Sequence, residues 1–538
     1  MLGPTAHIDS FARDHLPPPD LWPHFNATAL RELGYLRPMN AAAELLDRAV
    51  ARGHGARACL RTSGQTWSYE QLLSSANRIA RVLVDAGLVP GNRVLLRSAN
   101  NPMLAACFLA ILKAGGIAVP TMPLLRAREL THVLEKAEVQ FAICDSRLSG
   151  ELEKARTARE RLAIAYFNTD APDGLERRAA RHNDDFTNVV CSHDDVAIIA
   201  FTSGTTGSAK ATAHFHRDLL VVCDCFPRSI LSPSPDDVFT GSAPFAFTFG
   251  LGAVLLFPLR FGASAVLLEQ CTPETMLEAI AAHGVTRLFT VPTLYRGMAP
   301  LAHRYDLSRL TTCISSGEHL PAAVFESWER ATGQRLINSI GSTEMLHAFI
   351  VMPPDAIKPG AVGKPLPGYE AMVVDDEMRP VPPDTVGRLA VRGPTGCRYL
   401  SDPENQGIYV RDGWNLSGDA FSIDPEGYFH YHARSDDMIV SAGYNISGVE
   451  VEEALLMHPQ VRECAVVGVP DEARGQIVKA FVVLTDSAER GEAFTETLQD
   501  MVKSIIAPHK YPRVIEYLDA LPRTVSGKVR RGALRQRI

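Results

Sequence analysis

Through most of the chain, short apolar runs alternate with longer segments whose apolar residues recur at helical spacing. This rhythm constrains the fold more than any other feature of the sequence. Trp67-Ser-Tyr-Glu-Gln-Leu72 opens a helix behind a serine cap, which runs to Ala86 and stops at Gly87. Residues 94–96 read as a strand, 102–114 as a helix closed by Gly115-Gly116, and 117–119 as the next strand. Strands joined by helices return alongside one another in parallel, under a cover of helices. The Arg-rich stretch 147–181 is expected to be a surface helix plus a loop. Prolines 353, 354, 359, 365 and 367 mark a long connection into a second sheet region, and Gly427-Tyr-Phe-His-Tyr-His432 alternates like a strand. Beyond Asp436 the grammar changes to helix 449–458, strands 464–469 and 478–484, and helix 494–506, a compact α+β unit of about a hundred residues. The expected division is 1–435 and 436–538.

At 538 residues the chain is too long for one core. With 46% hydrophobic and 21% charged residues it has the balance of a soluble globular protein. A net charge of -7 argues against nucleic-acid binding, which needs a basic surface. Ten cysteines without a framework suit a reducing cytosol, and Cys223-Asp-Cys225 has no second pair to make a zinc site. The N-terminus carries His7, Asp9, Arg13 and Asp14 rather than an apolar core, so no signal peptide is expected. The longest apolar run, 103–112, is too short to span a bilayer. A cytoplasmic protein, monomer or homodimer, without nucleic-acid or membrane partners, is the expectation.

The apolar run 196–201 leads directly into Thr202-Ser203-Gly204-Thr205-Thr206-Gly207-Ser208-Ala209-Lys210. Glycines let backbone N–H groups turn toward an anion, hydroxyls add donors, and Lys210 adds a cation, so the segment reads as a phosphate cradle. It is not a Walker A loop, which ends in Gly-Lys-Ser/Thr. Downstream, in order, stand Asn338-Ser-Ile-Gly-Ser-Thr-Glu344, Ser417-Gly-Asp419, Arg434-Ser-Asp-Asp437 and Pro522-Arg-Thr-Val-Ser-Gly-Lys528. Together the five motifs resemble the adenylate-forming superfamily of acyl-CoA synthetases, adenylation domains and luciferases, from about Met39 to the C-terminus.

The resemblance implies an α/β fold, with a large multi-layer N-terminal domain of mostly parallel sheets and a small α+β C-terminal lid. It implies a reaction in which a carboxylate, ATP and CoA, with Mg²⁺, give an acyl-AMP and then a thioester. Thr202, Ser203, Gly204, Thr205, Thr206, Gly207 and Lys210 would hold the β- and γ-phosphates. Thr343 would contact the α-phosphate, and Glu344 would be the hard oxygen ligand that Mg²⁺ prefers. Gly317, Glu318 and Asn338 resemble the adenine strips, while Asp419 and Arg434 would contact the ribose. Lys528 would bridge the substrate carboxylate and the α-phosphate. Asp436 matches the hinge, Gly443 would line the pantetheine channel, and Arg474 is a candidate for the CoA nucleotide. The loop departs from the family in having Ala209-Lys210-Ala211 where Pro-Lys-Gly is usual. Gly250-Leu-Gly252 lacks the third glycine of a dinucleotide fingerprint.

For the acid, Ser342-Thr-Glu-Met-Leu-His347-Ala-Phe349 is similar to the benzoate and 2-aminobenzoate CoA ligase branch. Phe247, Thr248, Phe249, Gly341 and His347 would form the acid pocket, with Phe249 against a flat ring. Thr248 stands where benzoate ligases carry a small apolar residue, and the run from Phe11 resembles 2-aminobenzoate ligases. The expected substrate is therefore 2-aminobenzoate. The alternatives are benzoate or another substituted benzoate, or an adenylation enzyme that loads a carrier protein. A luciferase-type oxidoreductase and a nucleotide-binding protein without turnover are rival classes.

Overall fold

The structure, a computed structural model, describes residues 2–157, 161–202, 209–434, 437–441, 444–471, 474–485, 490–524 and 527–537, with the side chains of 444 and 445 excepted. Local signals act as the sequence predicts. The helix Tyr69–Asp85 begins at Ser68, whose hydroxyl accepts from Gln71 N at 3.1 Å while the Gln71 side chain accepts from Ser68 N at 2.7 Å. The helix Pro102–Lys113 buries nearly every residue, and even Lys113 is inside, paired with Asp47 at 2.6 Å.

The large domain is built on two mainly parallel sheets. One has six strands in the spatial order Ala163–Phe167, Phe141–Asp145, Arg93–Arg97, Ile117–Thr121, Val196–Phe201 and Ala211–Phe215, and only the last pair is antiparallel. The other has nine strands, and its central run from Ala58–Arg61 through Val238–Gly241 and Arg287–Thr290 to Leu336–Gly341 is parallel. A third, five-stranded sheet is antiparallel and carries Trp414–Ile423 beside Phe429–Arg434. The stretch 147–181 departs from the expected helix and loop: it contains the edge strand Ala163–Phe167 between two short helices. Ala165 and Phe167 alternate inward there, a pattern that the surrounding arginines hide.

The small domain has its own five-stranded sheet, in which Val461–Asp471 pairs with Gly475–Leu484, and the helices Gly448–Leu456 and Glu492–Ile505 cover it. It docks on the large domain through polar contacts. His319 Nε2 lies 2.8 Å from Glu453 Oε1 and its ring stacks on Tyr431, while Arg296 donates to the Arg462 carbonyl at 2.9 Å. The expected boundary and hinge at Asp436 lie outside the described residues. Among the described residues no helix is long and apolar enough to cross a membrane.

Candidate active site

The strands Val196–Phe201 and Ala211–Phe215 form an antiparallel pair, and the expected phosphate cradle is the loop between them. Thr202 N donates to the Lys210 carbonyl at 2.9 Å, and Lys210 N donates to Thr202 Oγ1 at 3.2 Å, which closes the loop at its base. Ser203, Gly204, Thr205, Thr206 and Gly207 lie outside the described residues. Lys210 Nζ sits 5.2 Å from the centre of the Tyr399 ring.

Thr343 and Glu344 lie in the turn that follows Leu336–Gly341, where Leu346 takes a positive φ of 69°. The turn is held from beneath. His214 Nε2 donates to the Thr343 carbonyl at 2.8 Å; a carbonyl can only accept, so this nitrogen carries the proton. Complete burial pushes the His214 pKa down to about 4, which keeps the ring neutral near pH 7. The Glu344 carboxylate accepts from the Tyr399 hydroxyl at 2.7 Å. Among the described residues no group of three or more His, Cys, Asp or Glu could hold a metal ion. A single carboxylate is nevertheless what Mg²⁺ needs when substrate phosphates supply the remaining ligands, so Glu344 fits that ion.

Asp419 and Arg434 are paired across neighbouring strands, with Arg434 Nη1 3.2 Å from Asp419 Oδ1 and from the Ser417 carbonyl. Burial raises the Asp419 pKa, against the pull of Arg434, Ser417 and Lys528. Lys528 belongs to the small domain, and its charge lies near enough to pull the Asp419 pKa down. Lys528 is exposed, at the base of a tight turn in which Thr524 N donates to its carbonyl at 2.7 Å and Gly527 takes a φ of 85°. Gly317 also needs a positive φ, 85°. Glu318 accepts from Thr293 Oγ1 at 2.7 Å, and Asn338 donates to the Ala361 carbonyl at 3.1 Å, so both side chains are held before any ligand arrives.

Of the expected acid-pocket residues, Phe249 and Gly341 lie against His347. Its ring is 3% exposed and caged by Phe226, Phe249 and Phe257, at centroid distances of 5.7, 5.7 and 4.7 Å. Neither ring nitrogen has a hydrogen-bond partner. Burial drives the pKa down to about 3, against the opposing pull of the Phe249 backbone. Thr248 is buried and starts the helix Thr248–Leu251, with Phe247 immediately before it. The glycines of Gly250-Leu-Gly252 serve packing: a Cβ on Gly250 would meet the Ala243 and Pro244 carbonyls at 2.3 Å, and one on Gly252 would meet the His347 ring at 2.5 Å. A Cβ on Gly341 would likewise meet the His347 carbonyl at 2.5 Å.

Asp436 and Gly443 lie outside the described residues, and Arg474 is exposed at the turn between the two long strands of the small domain. The structure thus brings Lys210 and Glu344, with its neighbour Thr343, together around Tyr399, pairs Asp419 with Arg434, and sets Phe249 at a tilt against His347. Sequence reasoning missed Tyr399, His214, Phe226 and Phe257. No local motif marks them; their partners come from distant strands and helices.

The model of the family described as AMP-binding enzyme matches residues 46–399, and that of the AMP-binding enzyme C-terminal domain matches 450–528. Benzoate–CoA ligase of Thauera aromatica is 34% identical over 506 residues, covering 92% of this chain and 95% of its own. Two solved structures superpose closely. The anthranilate CoA ligase AuaEII, in complex with anthranoyl-AMP, has a TM-score of 0.89 and 31% identity over 93% of this chain and 97% of its own. A benzoate CoA ligase from Burkholderia xenovorans LB400 has a TM-score of 0.86 and 31% identity over 92% of this chain and 100% of its own.

Proposed function

Because the chain belongs to the family of AMP-binding enzymes, in its aryl-CoA ligase branch, we propose that its substrate is 2-aminobenzoate, converted through an aryl-AMP to the CoA thioester. The observation that carries the choice of acid is the buried, unpartnered imidazole of His347 inside a phenylalanine cage, one ring of which, Phe249, directly follows the buried Thr248. Aromatic faces such as that of Phe249 suit a flat ring. The neutral imidazole has one N–H and one lone pair to offer, and the Thr248 hydroxyl adds a second polar contact, so a ring bearing an amino group is matched better than a bare one. The likeness to an anthranilate ligase bound to anthranoyl-AMP supports the same acid, since anthranilate is 2-aminobenzoate.

A carboxylate is a poor electrophile, so it is first activated. Its oxygen bonds to the α-phosphorus of ATP, the bond to the bridging oxygen breaks, and pyrophosphate leaves. Lys210 and the loop beginning at Thr202 hold the departing phosphates, and Thr343 contacts the α-phosphate. Lys528 neutralises charge between the carboxylate and that phosphate. Asp419 accepts from the ribose hydroxyls and Arg434 steadies it. Gly317, Glu318 and Asn338 face the adenine. Glu344 would hold Mg²⁺, which would supply charge neutralisation on the phosphates. The CoA thiolate then bonds to the acyl carbon and AMP leaves, after the small domain turns about Asp436 to bring Gly443 and Arg474 toward CoA. The ten cysteines are all free, which supports a cytoplasmic setting.

The test is acid-dependent release of AMP with thioester formation across benzoate, 2-aminobenzoate, hydroxybenzoates and short fatty acids, with free CoA or a phosphopantetheinylated carrier as acceptor. The highest kcat/KM is expected for 2-aminobenzoate with free CoA. A higher value for benzoate would favour the benzoate alternative that the two benzoate ligases support, and transfer only to the carrier would reject CoA as the acceptor.

A further inference from the structure

The segment 398–400 is stitched to the strand that leaves the phosphate loop. Ala213 N donates to the Arg398 carbonyl at 2.8 Å, Leu400 N donates to the Ala211 carbonyl at 2.8 Å, and Thr212 bridges to Tyr399. Successive side chains of an extended segment point to opposite faces, so Arg398 and Tyr399 part company here. Arg398 turns inward, paired with Asp218 at 2.9 Å and with its guanidinium 3.8 Å from the centre of the Phe215 ring. That pair anchors the segment. Tyr399 turns to the nucleotide side, and its backbone N–H is fixed by Gln406 Oε1 at 2.8 Å. At 1% exposure, with its ring edge-on to Tyr409, the phenol is packed in position.

In that position it touches two groups of opposite charge. Its hydroxyl donates to Glu344 Oε1 at 2.7 Å, and its ring face receives the Lys210 ammonium at 5.2 Å. We infer that Tyr399 is a positioning residue of the nucleotide site: the hydroxyl sets the Glu344 carboxylate for the divalent cation, and the ring sets Lys210 for the phosphates. The inference rests on the roles of Glu344 and Lys210 in the function proposed above. The two contacts use different parts of one side chain and are therefore separable. A charge-assisted hydrogen bond orients a carboxylate strongly, whereas an aromatic face holds an ammonium weakly and without fixing its direction. Metal-dependent and metal-independent nucleotide binding then depend on Tyr399 to different degrees.

The experiment is calorimetric titration of the full chain with ATP, without acid or CoA, once in Mg²⁺ and once in EDTA. Tyr399→Phe keeps the ring and removes the hydroxyl. It is expected to raise Kd about tenfold in Mg²⁺ and by less than about twofold in EDTA, since the orientation that the hydroxyl gives the Glu344 carboxylate bears on nucleotide binding only when that carboxylate ligates the cation. Tyr399→Leu removes both contacts and is expected to raise Kd in EDTA as well, by about threefold. Steady-state assays should show Tyr399→Phe raising KM for ATP more than it lowers kcat. Equal Kd ratios in Mg²⁺ and EDTA for Tyr399→Phe would overturn the assignment, and that variant decides alone if Tyr399→Leu does not fold. A wild-type chain that makes aryl-AMP beside an unaltered Tyr399→Phe rejects only Tyr399. A wild-type chain that neither binds ATP nor makes aryl-AMP rejects the function itself.

Discussion

Replacing His347 by leucine tests whether the imidazole is buried, neutral and unpartnered, as the geometry requires. The folded-state pKa is lowered to about 3 by burial, against an ordinary value of 6.5. Below pH 6.5 the unfolded chain binds a proton that the folded chain refuses until about pH 3. Stability from this group is therefore intact above 6.5 and falls as pH drops toward 3. Between pH 8 and pH 5 the loss is about 2 kcal/mol, and it scarcely changes if the folded value is nearer 4, because the folded ring is unprotonated at pH 5 in either case. His214 and His216, pushed down to about 4 and about 3 by the same burial, act in the same direction. The wild-type loss from the three should be near 6 kcal/mol, and His347→Leu should reduce it by about 2 kcal/mol. At pH 8 the substitution should be nearly neutral, because relief of two unpartnered nitrogens offsets the poorer fit of a branched side chain of similar volume. The assay is urea unfolding at the two pH values, followed by tryptophan fluorescence. All four tryptophans, Trp22, Trp67, Trp328 and Trp414, lie in the large domain, so the signal reports the domain that holds His347. An identical pH 8 to pH 5 loss in variant and wild type would refute the reasoning, since it would mean that the ring titrates normally.

Thr248→Ala should shift kcat/KM toward benzoate over 2-aminobenzoate by about 1–3 kcal/mol; an unchanged ratio in competition assays would remove Thr248 from the acid pocket. Lys528→Ala should slow aryl-AMP formation about 10²–10³-fold while sparing thioester formation from supplied aryl-AMP, measured as separate single turnovers; equal losses in both steps would reduce Lys528 to a general stabiliser of the closed site. Glu453→Gln weakens the side-chain contact with His319 at the docking surface, a partly exposed pair on the scale of ~1 kcal/mol or less, so adenylate formation should slow by no more than about fivefold with the second step unaffected. Slowing of both steps alike would show that the contact does not favour this docked pose.

The sequence by itself determined the parts of this protein that rest on short-range physics. Helix caps such as Ser68, the glycine-rich loop that follows a buried strand, and the strand–helix alternation that makes sheets parallel are all local patterns, and motif order carried the family. The edge strand at Ala163–Phe167 escaped because its alternation is short and set among arginines that suggest a solvated face. What only the tertiary structure decided are contacts between segments far apart in the chain. Tyr399 gains its place between Lys210 and Glu344 because 398–400 pairs with the strand Ala211–Phe215, and His214 supports Thr343 only after two sheets meet. The same holds for the depressed basicity of His347. Its sequence neighbours do not bury it; rings from Phe226 and Phe257 do, and a pKa responds to the solvent removed in three dimensions rather than to the residues adjacent in the chain.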